Sequence, residues 1–314
     1  RGFTLYSSAP PVAGGAQLVG TLNLLEQYKD PKPYADDAAT LHAMLSAWLL
    51  VPSSRNRIAD PGLWPVNLEP FTSRDTARAR WRCFDPRKAL SPDVLRSDSL
   101  ACASTKTPDA DGGDSTRFHH AAGTTAFMVA DAAGNVVAVT QTLGTWGGNF
   151  YVTPGLGFIY NDKLASYSND PNAYGARLPF ARHGSTIAPT IVFDSSRKPK
   201  PVAAVGAAGN AWITSAVFET LVGIIDLHLD PQSALELPRF LPTSRGSSDG
   251  TLVEMEDGFS PDVMRHLVSL GYRPRLVSLL GELREGYGAA VAIRNGVVTA
   301  GADPRRAGAA GAIP

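Results

Sequence analysis

Residues 123–144 read GTTAFMVADAAGNVVAVTQTLG, two runs rich in apolar and β-branched residues on either side of a short polar break. β-Branched side chains suit strands, and the break fits a three-residue hairpin loop, Ala132-Ala133-Gly134, with glycine in the left-handed position. Asp131 then faces Asn135, and facing residues keep a constant number sum, which sets Thr124 opposite Thr142. Both hydroxyls lie on one sheet face, within reach of each other. A slip of one residue would send them to opposite faces. Threonine pairs are ordinary in strands, so the pairing alone is as compatible with structure as with catalysis.

Position favours catalysis. Gly123 precedes the pair, and the stretch before it, 104–117 (STKTPDADGGDSTR), is the most linker-like in the chain, almost free of apolar residues. A threonine so placed can attack the carbonyl of the residue before it. The resulting N→O acyl shift and hydrolysis would cut between Gly123 and Thr124 and free the Thr124 α-amine. With a pKa of about 8, that amine is a suitable general base for its own hydroxyl.

The rest of the chain frames this hairpin. Its 314 residues, 44% hydrophobic and 18% charged, are ample for a buried core in one large domain or two small ones. Lys+Arg and Asp+Glu are both 29, a balance that gives no sign of a nucleic-acid or acidic-membrane partner. No apolar run reaches bilayer-spanning length. The chain opens at Arg1 without methionine or a signal-like stretch, as expected of a piece of a longer precursor. Cys83 and Cys102 could pair, but two cysteines make no disulfide framework, and both are expected to be bystanders.

Elements follow from periodicity. FTLYSS (3–8) alternates like a strand. AQLVGTLNLLEQY (16–28) and 36–50 carry helical spacing, and 51–100 reads as loops with short helices. STIAPTIVFD and KPVAAVGAAG form a hairpin around SSRKPK, and 211–229 is an amphipathic helix. In FSPDVMRHLVSLG, Ser260 is an N-cap, Pro261 the first helical residue and Gly271 the terminator. TLVEM, YGAAVAIRN and VVTAG are strands. The class is α+β, without a βαβ rhythm.

Several short motifs fail on context. GSSDG (246–250) matches a nucleophile elbow around Ser248, but a turn precedes it and a strand follows, not the strand-then-helix that an elbow requires. SSRK (195–198) lies in a hairpin turn. DADGGD (109–114) lacks the closing glutamate of a calcium loop. His119 and His120 are adjacent, which is not a metal-ligand spacing. No metal site and no cofactor are expected. By contrast VGAAGN (205–210) joins a strand to a helix, where backbone N–H groups and the helix dipole can hold a developing oxyanion, or where it is simply a glycine-rich turn.

Taken in order, YSSAPPVAGGAQLVGTLNLLEQY, TTAFMVADAAGNVVAVTQTL, HGSTIAPTIVFD, GAAGN, LPRF, GFSPDV and GADPRR resemble the gamma-glutamyltranspeptidase family of N-terminal nucleophile hydrolases, over nearly the whole chain. The resemblance implies a four-layer αββα sandwich in which 1–123 is the C-terminal part of the large-subunit region and 124–314 the small-subunit region, together one domain. It implies that Thr124 is nucleophile and base, with Thr142 as the second threonine. Gly209 and Asn210, in place of a Gly-Gly pair, would form the oxyanion hole, and Ser185 and Thr186 would hold the substrate carboxylate. The implied partners are a small-molecule substrate and the large-subunit portion of the same precursor, in a heterodimer or a dimer of heterodimers; the compartment is expected to be the cytoplasm.

Departures concern the substrate. The family's histidine two residues after the nucleophile is Ala126, and its asparagine two after the second threonine is Gly144. The positions that read the glutamyl ammonium become Lys163 and Ser166, so a cation replaces an acid. The expected activity is therefore amide hydrolysis or acyl transfer on a non-standard substrate. Alternatives are the C–C bond hydrolysis associated with relatives in actinobacterial antibiotic biosynthesis, and an inactive binding subunit.

Overall fold

The computed structural model describes residues 1–52, 58–90, 102, 122–242, 250–277 and 286–313. The segments 104–117, His119, His120 and Ser248 lie outside the described residues. The expected hairpin forms β2 (Ala122–Ala130) and β3 (Val136–Thr145). Gly134 takes φ +88° and its N–H donates to Asp131 O at 3.1 Å, closing the three-residue loop. Asn135 N–H donates to Asp131 Oδ1 at 2.8 Å, which locks the turn. Thr124 pairs with Thr142, Thr125 with Gln141 and Ala130 with Val136, as the constant sum requires.

This two-stranded ribbon packs on a five-stranded sheet of order β1-β4-β5-β9-β10, formed by Thr4–Tyr6, Thr190–Phe193, Pro201–Ala208, Tyr287–Arg294 and Val297–Ala302. All four pairings in that sheet are antiparallel. Helix α1 (Gly14–Leu25) packs on α2 (Ala38–Leu50) and on α5 (Trp212–Leu221), and α5 packs in turn on β5 and β9. Asp37 caps α2 through Thr40 N–H. The short helices α3 (Glu69–Thr72) and α4 (Arg74–Trp81) sit beside α1. The expected 211–229 helix begins as α5 and continues as a π-helical turn, Val222–Asp226. Stacked sheets with a helical layer make the α+β sandwich that the resemblance implies. Phe127, Val129 and Val137, on the outer face of the ribbon, are exposed among the described residues.

Two expectations are corrected. After α6 (Pro231–Glu236), strands β6 (Phe240–Pro242), β7 (Thr251–Met255) and β8 (Tyr272–Leu276) form a second small sheet. β7 and β8 are parallel and are joined by α7 (Pro261–Leu270), so the chain does contain a βαβ unit. The cause is legible locally. Ser260 starts the helix straight after β7, and Gly271, at φ +99°, turns the chain directly into β8. The second correction is Cys83, which forms a disulfide with Cys102 and is no bystander.

The motifs LPRF and GADPRR meet in a buried ion cluster. Arg239 pairs with Asp303 at 2.6 Å, and Arg305 with Asp303 at 3.0 Å and with Glu256. Asp303 also accepts Gly288 N–H, and Arg239 donates to Ala216 O on α5, so the C-terminal segment is tied to sheet and helix together. Glu219 faces Arg239 at 3.8 Å, and burial raises its carboxyl well above the ordinary range.

His42 on α2 is also buried, with Nε2 2.8 Å from Asp85 O and Nδ1 2.9 Å from the Tyr272 hydroxyl. A carbonyl only accepts, so Nε2 carries the proton and Nδ1 accepts from Tyr272. Burial lowers the His42 pKa below its ordinary value. The unfolded chain therefore binds this proton more readily than the native one. The stability that His42 contributes is present above about pH 6.5 and is lost as pH falls through that region. Urea midpoints at pH 7 and pH 5 are expected to fall further for the wild type than for His42→Gln. An equal fall in both would show that His42 contributes nothing to the acid loss.

Candidate active site

The stacking of the ribbon on β5 brings Thr124, Ala126 and Met128 of β2, and Thr140 and Thr142 of β3, onto the inner face. Met128 and Thr140 reach Gly206 of β5. Thr124 is buried, and its Oγ donates to Thr142 Oγ at 2.9 Å. The register argument from the sequence therefore holds in atomic detail. Just upstream the ladder is broken by a bulge between Ala122 and Thr124. Gly123 lies in that bulge against the backbone of Thr145: a Cβ at 123 would stand 2.0 Å from Thr145 O. Only glycine lets the residue before Thr124 lie this close to the end of β3.

Gly144, where the family pattern has asparagine, donates its N–H to Thr142 Oγ at 2.9 Å. It takes φ +98°, and a Cβ there would fall 1.7 Å from Asp162 Oδ1. The space of a side chain at 144 is thus filled by the Asp162 carboxylate. Asp162 accepts the Thr145 N–H at 3.1 Å and the Thr145 hydroxyl, and donates its own N–H to Leu143 O at 2.8 Å. Sequence reasoning missed Asp162; the signal was a carboxylate adjoining Lys163 together with the loss of a side chain at 144.

Lys163 and Ser166 open and close a 3₁₀ turn, Lys163–Ser166. The Lys163 stem lies near Gly144, so the two positions are brought together, whereas Ser166 is exposed. Burial lowers the Lys163 pKa, against an opposing pull from Asp162. Burial also pushes the Asp162 carboxyl up, but the hydrogen bonds from Thr145 outweigh it and hold the group below its ordinary value. A carboxylate therefore stands one residue before the cation. The loss of acidity at this end is smaller than the sequence implies, although that carboxylate is engaged by Thr145.

Gly209 and Asn210 end β5 and lead into α5, with φ +124° and +51°. Gly209 O accepts from Trp212 N–H at 2.9 Å, and Asn210 O from Ile213 N–H at 3.3 Å. A trans peptide points its N–H opposite to its C=O, so the Asn210 N–H is directed away from the helix turn that its peptide carbonyl caps. Thr186 Oγ donates to Asn210 O at 2.9 Å, and Thr214 Oγ to Thr186 O at 2.9 Å, which joins the expected carboxylate-binding pair to the expected oxyanion turn. Ser185 is held from the other side, its carbonyl accepting Ala13 N–H at 2.9 Å, while Ser8 Oγ donates to Ile187 O at 2.7 Å. The proline-glycine segment before α1 is thus the backing of residues 185–187. Arg182 adds a further clamp, donating to Asp60 through its side chain at 2.7 Å and its backbone N–H at 2.8 Å. Among the described residues no cluster of three or more His, Cys, Asp or Glu side chains could hold a metal, and no helix is long and apolar enough to cross a membrane.

The family model described as Gamma-glutamyltranspeptidase matches residues 1–313. This chain belongs to the gamma-glutamyltranspeptidase family. It is 28% identical over 296 residues to the glutathione hydrolase proenzyme of Escherichia coli (strain K12), an alignment covering 90% of this chain and 46% of that protein. It is 26% identical over 274 residues to the acylase ACY 1 proenzyme of Pseudomonas sp. (strain V22), covering 87% and 44%. Among solved structures it is similar to the cephalosporin acylase from Bacillus halodurans, with a TM-score of 0.75 at 23% identity, covering 97% of this chain and 50% of that one. The chain spans about half the length of the relatives it matches.

The contact between positions 144 and 162 has a direct consequence. Gly144→Ala adds a Cβ into the Asp162 carboxylate at a left-handed φ, and is expected to cost about 1–3 kcal/mol. The urea midpoint of the variant reads this; an unchanged midpoint would mean that Asp162 does not lie over Gly144.

Proposed function

We propose that this chain carries the catalytic apparatus of an N-terminal threonine hydrolase or acyltransferase that cuts itself before Thr124 and acts through an acyl-enzyme. The observation that carries the reading is the hydroxyl pair of buried Thr124 and half-buried Thr142, set immediately after a glycine pressed against the end of β3. Thr124 Oγ attacks the Gly123 carbonyl carbon and an ester forms. The Gly123–Thr124 amide breaks, and its nitrogen takes up the proton. Water then hydrolyses the ester, leaving a Gly123 carboxylate, a free Thr124 hydroxyl and a free amine. In turnover that amine takes the hydroxyl proton as the oxygen attacks a substrate carbonyl. The Gly209 and Asn210 N–H groups stabilise the oxyanion. Residues 1–123 and 124–314 then form one domain from two chains, completed by the remaining portion of the precursor as a heterodimer or a dimer of heterodimers. That relatives are named proenzymes supports this maturation. The Cys83–Cys102 disulfide favours an oxidising compartment over the cytoplasm.

For the substrate, we propose an acyl compound that presents a carboxylate or neutral group to Lys163. Gly144 lies against the Lys163 stem, and Ser166 supplies no charge. The likeness to the acylase ACY 1 proenzyme favours an amide over other bonds.

Two measurements test the proposal. In the full-length precursor, Thr124→Ala is expected to leave one uncut chain, whereas the wild type yields a fragment beginning Thr-Thr-Ala-Phe; normal processing of the variant would exclude Thr124 as nucleophile. With γ-glutamyl-p-nitroanilide, weak wild-type hydrolysis is expected, rising about tenfold in Lys163→Ala as like-charge repulsion of the glutamyl ammonium is removed. Wild-type turnover that Lys163→Ala does not improve would show that Lys163 does not set the preference.

A further inference from the structure

The geometry points to Asp162 as a positioning residue that holds the Thr142 hydroxyl in register for Thr124, an assignment that rests on the reading of Thr124 as nucleophile. Thr142 Oγ has two lone pairs, and both are used: one accepts the Thr124 hydroxyl and the other the Gly144 N–H, each at 2.9 Å. Rotation of the Thr142 side chain would break both bonds, so its orientation depends on where the Gly144 N–H points. That direction is set by the Leu143–Gly144 peptide plane, which the left-handed Gly144, φ +98°, carries into Thr145 without an intrinsic preference strong enough to hold it.

Asp162 supplies the hold from both sides of Gly144. Its backbone N–H donates to the preceding residue, at Leu143 O, and its carboxylate takes the N–H and the hydroxyl of the following residue, Thr145. Bonds to a charged acceptor are the stronger kind. They matter here because β3 runs at Thr145 into a long excursion, 146–161, that rejoins the strand at Asp162. That closure, beside the Ala122–Thr145 pair beyond the bulge, holds the neck of the loop at Gly144, the place where strands open first. The carboxylate also occupies the room of a Gly144 side chain, so glycine at 144 and an acid at 162 belong together. The hold passes from Asp162 through the Gly144–Thr145 turn to Thr142 and thence to Thr124, the last two links being the Gly144 N–H and Thr124 hydroxyl bonds to Thr142 Oγ.

The test is the rate of self-cleavage of the full-length precursor, which needs no knowledge of the substrate. It is followed by intact mass for Asp162→Ala, Asp162→Asn and Thr124→Ala, well below the melting temperature of each. Asp162→Ala is expected to slow cleavage about tenfold or more, as for other misplacements of reacting groups. Asp162→Asn is expected to stay within about threefold of the wild type, since its amide oxygen still accepts the Thr145 N–H. A residue that merely stabilised the fold would lower the melting temperature without this rescue pattern. Wild-type cleavage by Asp162→Ala with Thr124→Ala uncut would overturn the role of Asp162 and leave the nucleophile standing. Cleavage by Thr124→Ala would overturn both. Equal slowing by Asp162→Asn and Asp162→Ala would assign the effect to charge and overturn the hydrogen-bonded hold. Should Asp162→Ala fail to fold, Thr145→Val, which removes one of the two bonds to the carboxylate, is expected to slow cleavage severalfold, and a wild-type rate would overturn the proposal.

Discussion

The site depends first on the pairing register of one hairpin. Because strand side chains alternate, the Ala132–Gly134 loop decides whether Thr124 and Thr142 share the inner face or are split between core and solvent. Asp131 and Asn135 fix that loop through a side-chain and a backbone bond, some seven residue pairs away from the threonines. The turn is remote from the chemistry, yet a one-residue change of loop length would move a hydroxyl off the inner face. At the other end of the ribbon the register is shifted by the bulge at Gly123, which frees that residue from the ladder next to the Thr124 hydroxyl before pairing resumes at Ala122 and Thr145.

Around this ribbon the remaining chain acts as backing. The five-stranded sheet supplies a flat floor at β5, whose end becomes the Gly209–Asn210 turn, and α5 takes its direction from the same residues. The Ser185–Thr186 segment is squeezed between the start of α1 and that turn, so three stretches distant in sequence are joined by hydrogen bonds of 2.7–2.9 Å. Beneath, the Arg239–Asp303–Arg305–Glu256 cluster ties the C-terminal segment to α5. Removing one member of such a cluster would leave a buried charge without its partner, which costs far more than the intact cluster contributes. Such interactions hold position more than they add stability.

Much of this was legible in the sequence, because the relevant signals are local. The hairpin loop, the Ser260-Pro261 start and Gly271 stop of α7, the strands around Tyr287–Ala302 and the Thr124–Thr142 facing all follow from periodicity and turn chemistry. The parallel pairing of β7 with β8 did not, since β8, YRPRL, is interrupted by two arginines and a proline and does not read as a strand. Cys83 and Cys102 gave no spacing signal, and their pairing is a matter of tertiary approach. Asp162 was hidden for the same reason: its partners, Leu143, Gly144 and Thr145, lie across a sixteen-residue excursion that no periodicity spans. In the sequence Gly123 stands as the residue before the nucleophile and Gly144 as a lost asparagine, while the structure assigns them to contacts with Thr145 and Asp162. Lys163 and Ser166 were singled out as a departure, and the carboxylate beside them tempers the charge argument.

The central claim is that the Thr124 hydroxyl reaches the carbonyl of Gly123 and takes its acyl group. That step makes an ester, and an ester, unlike an amide, is opened readily by hydroxylamine. The most direct measurement is tandem mass spectrometry of the larger fragment after the full-length precursor matures in hydroxylamine. The account predicts faster cleavage and a hydroxamate at the C-terminal Gly123, with an unmodified Thr124 heading the smaller fragment. A Gly123 carboxylate alone at an unchanged rate, or a hydroxamate at any other residue, would contradict it.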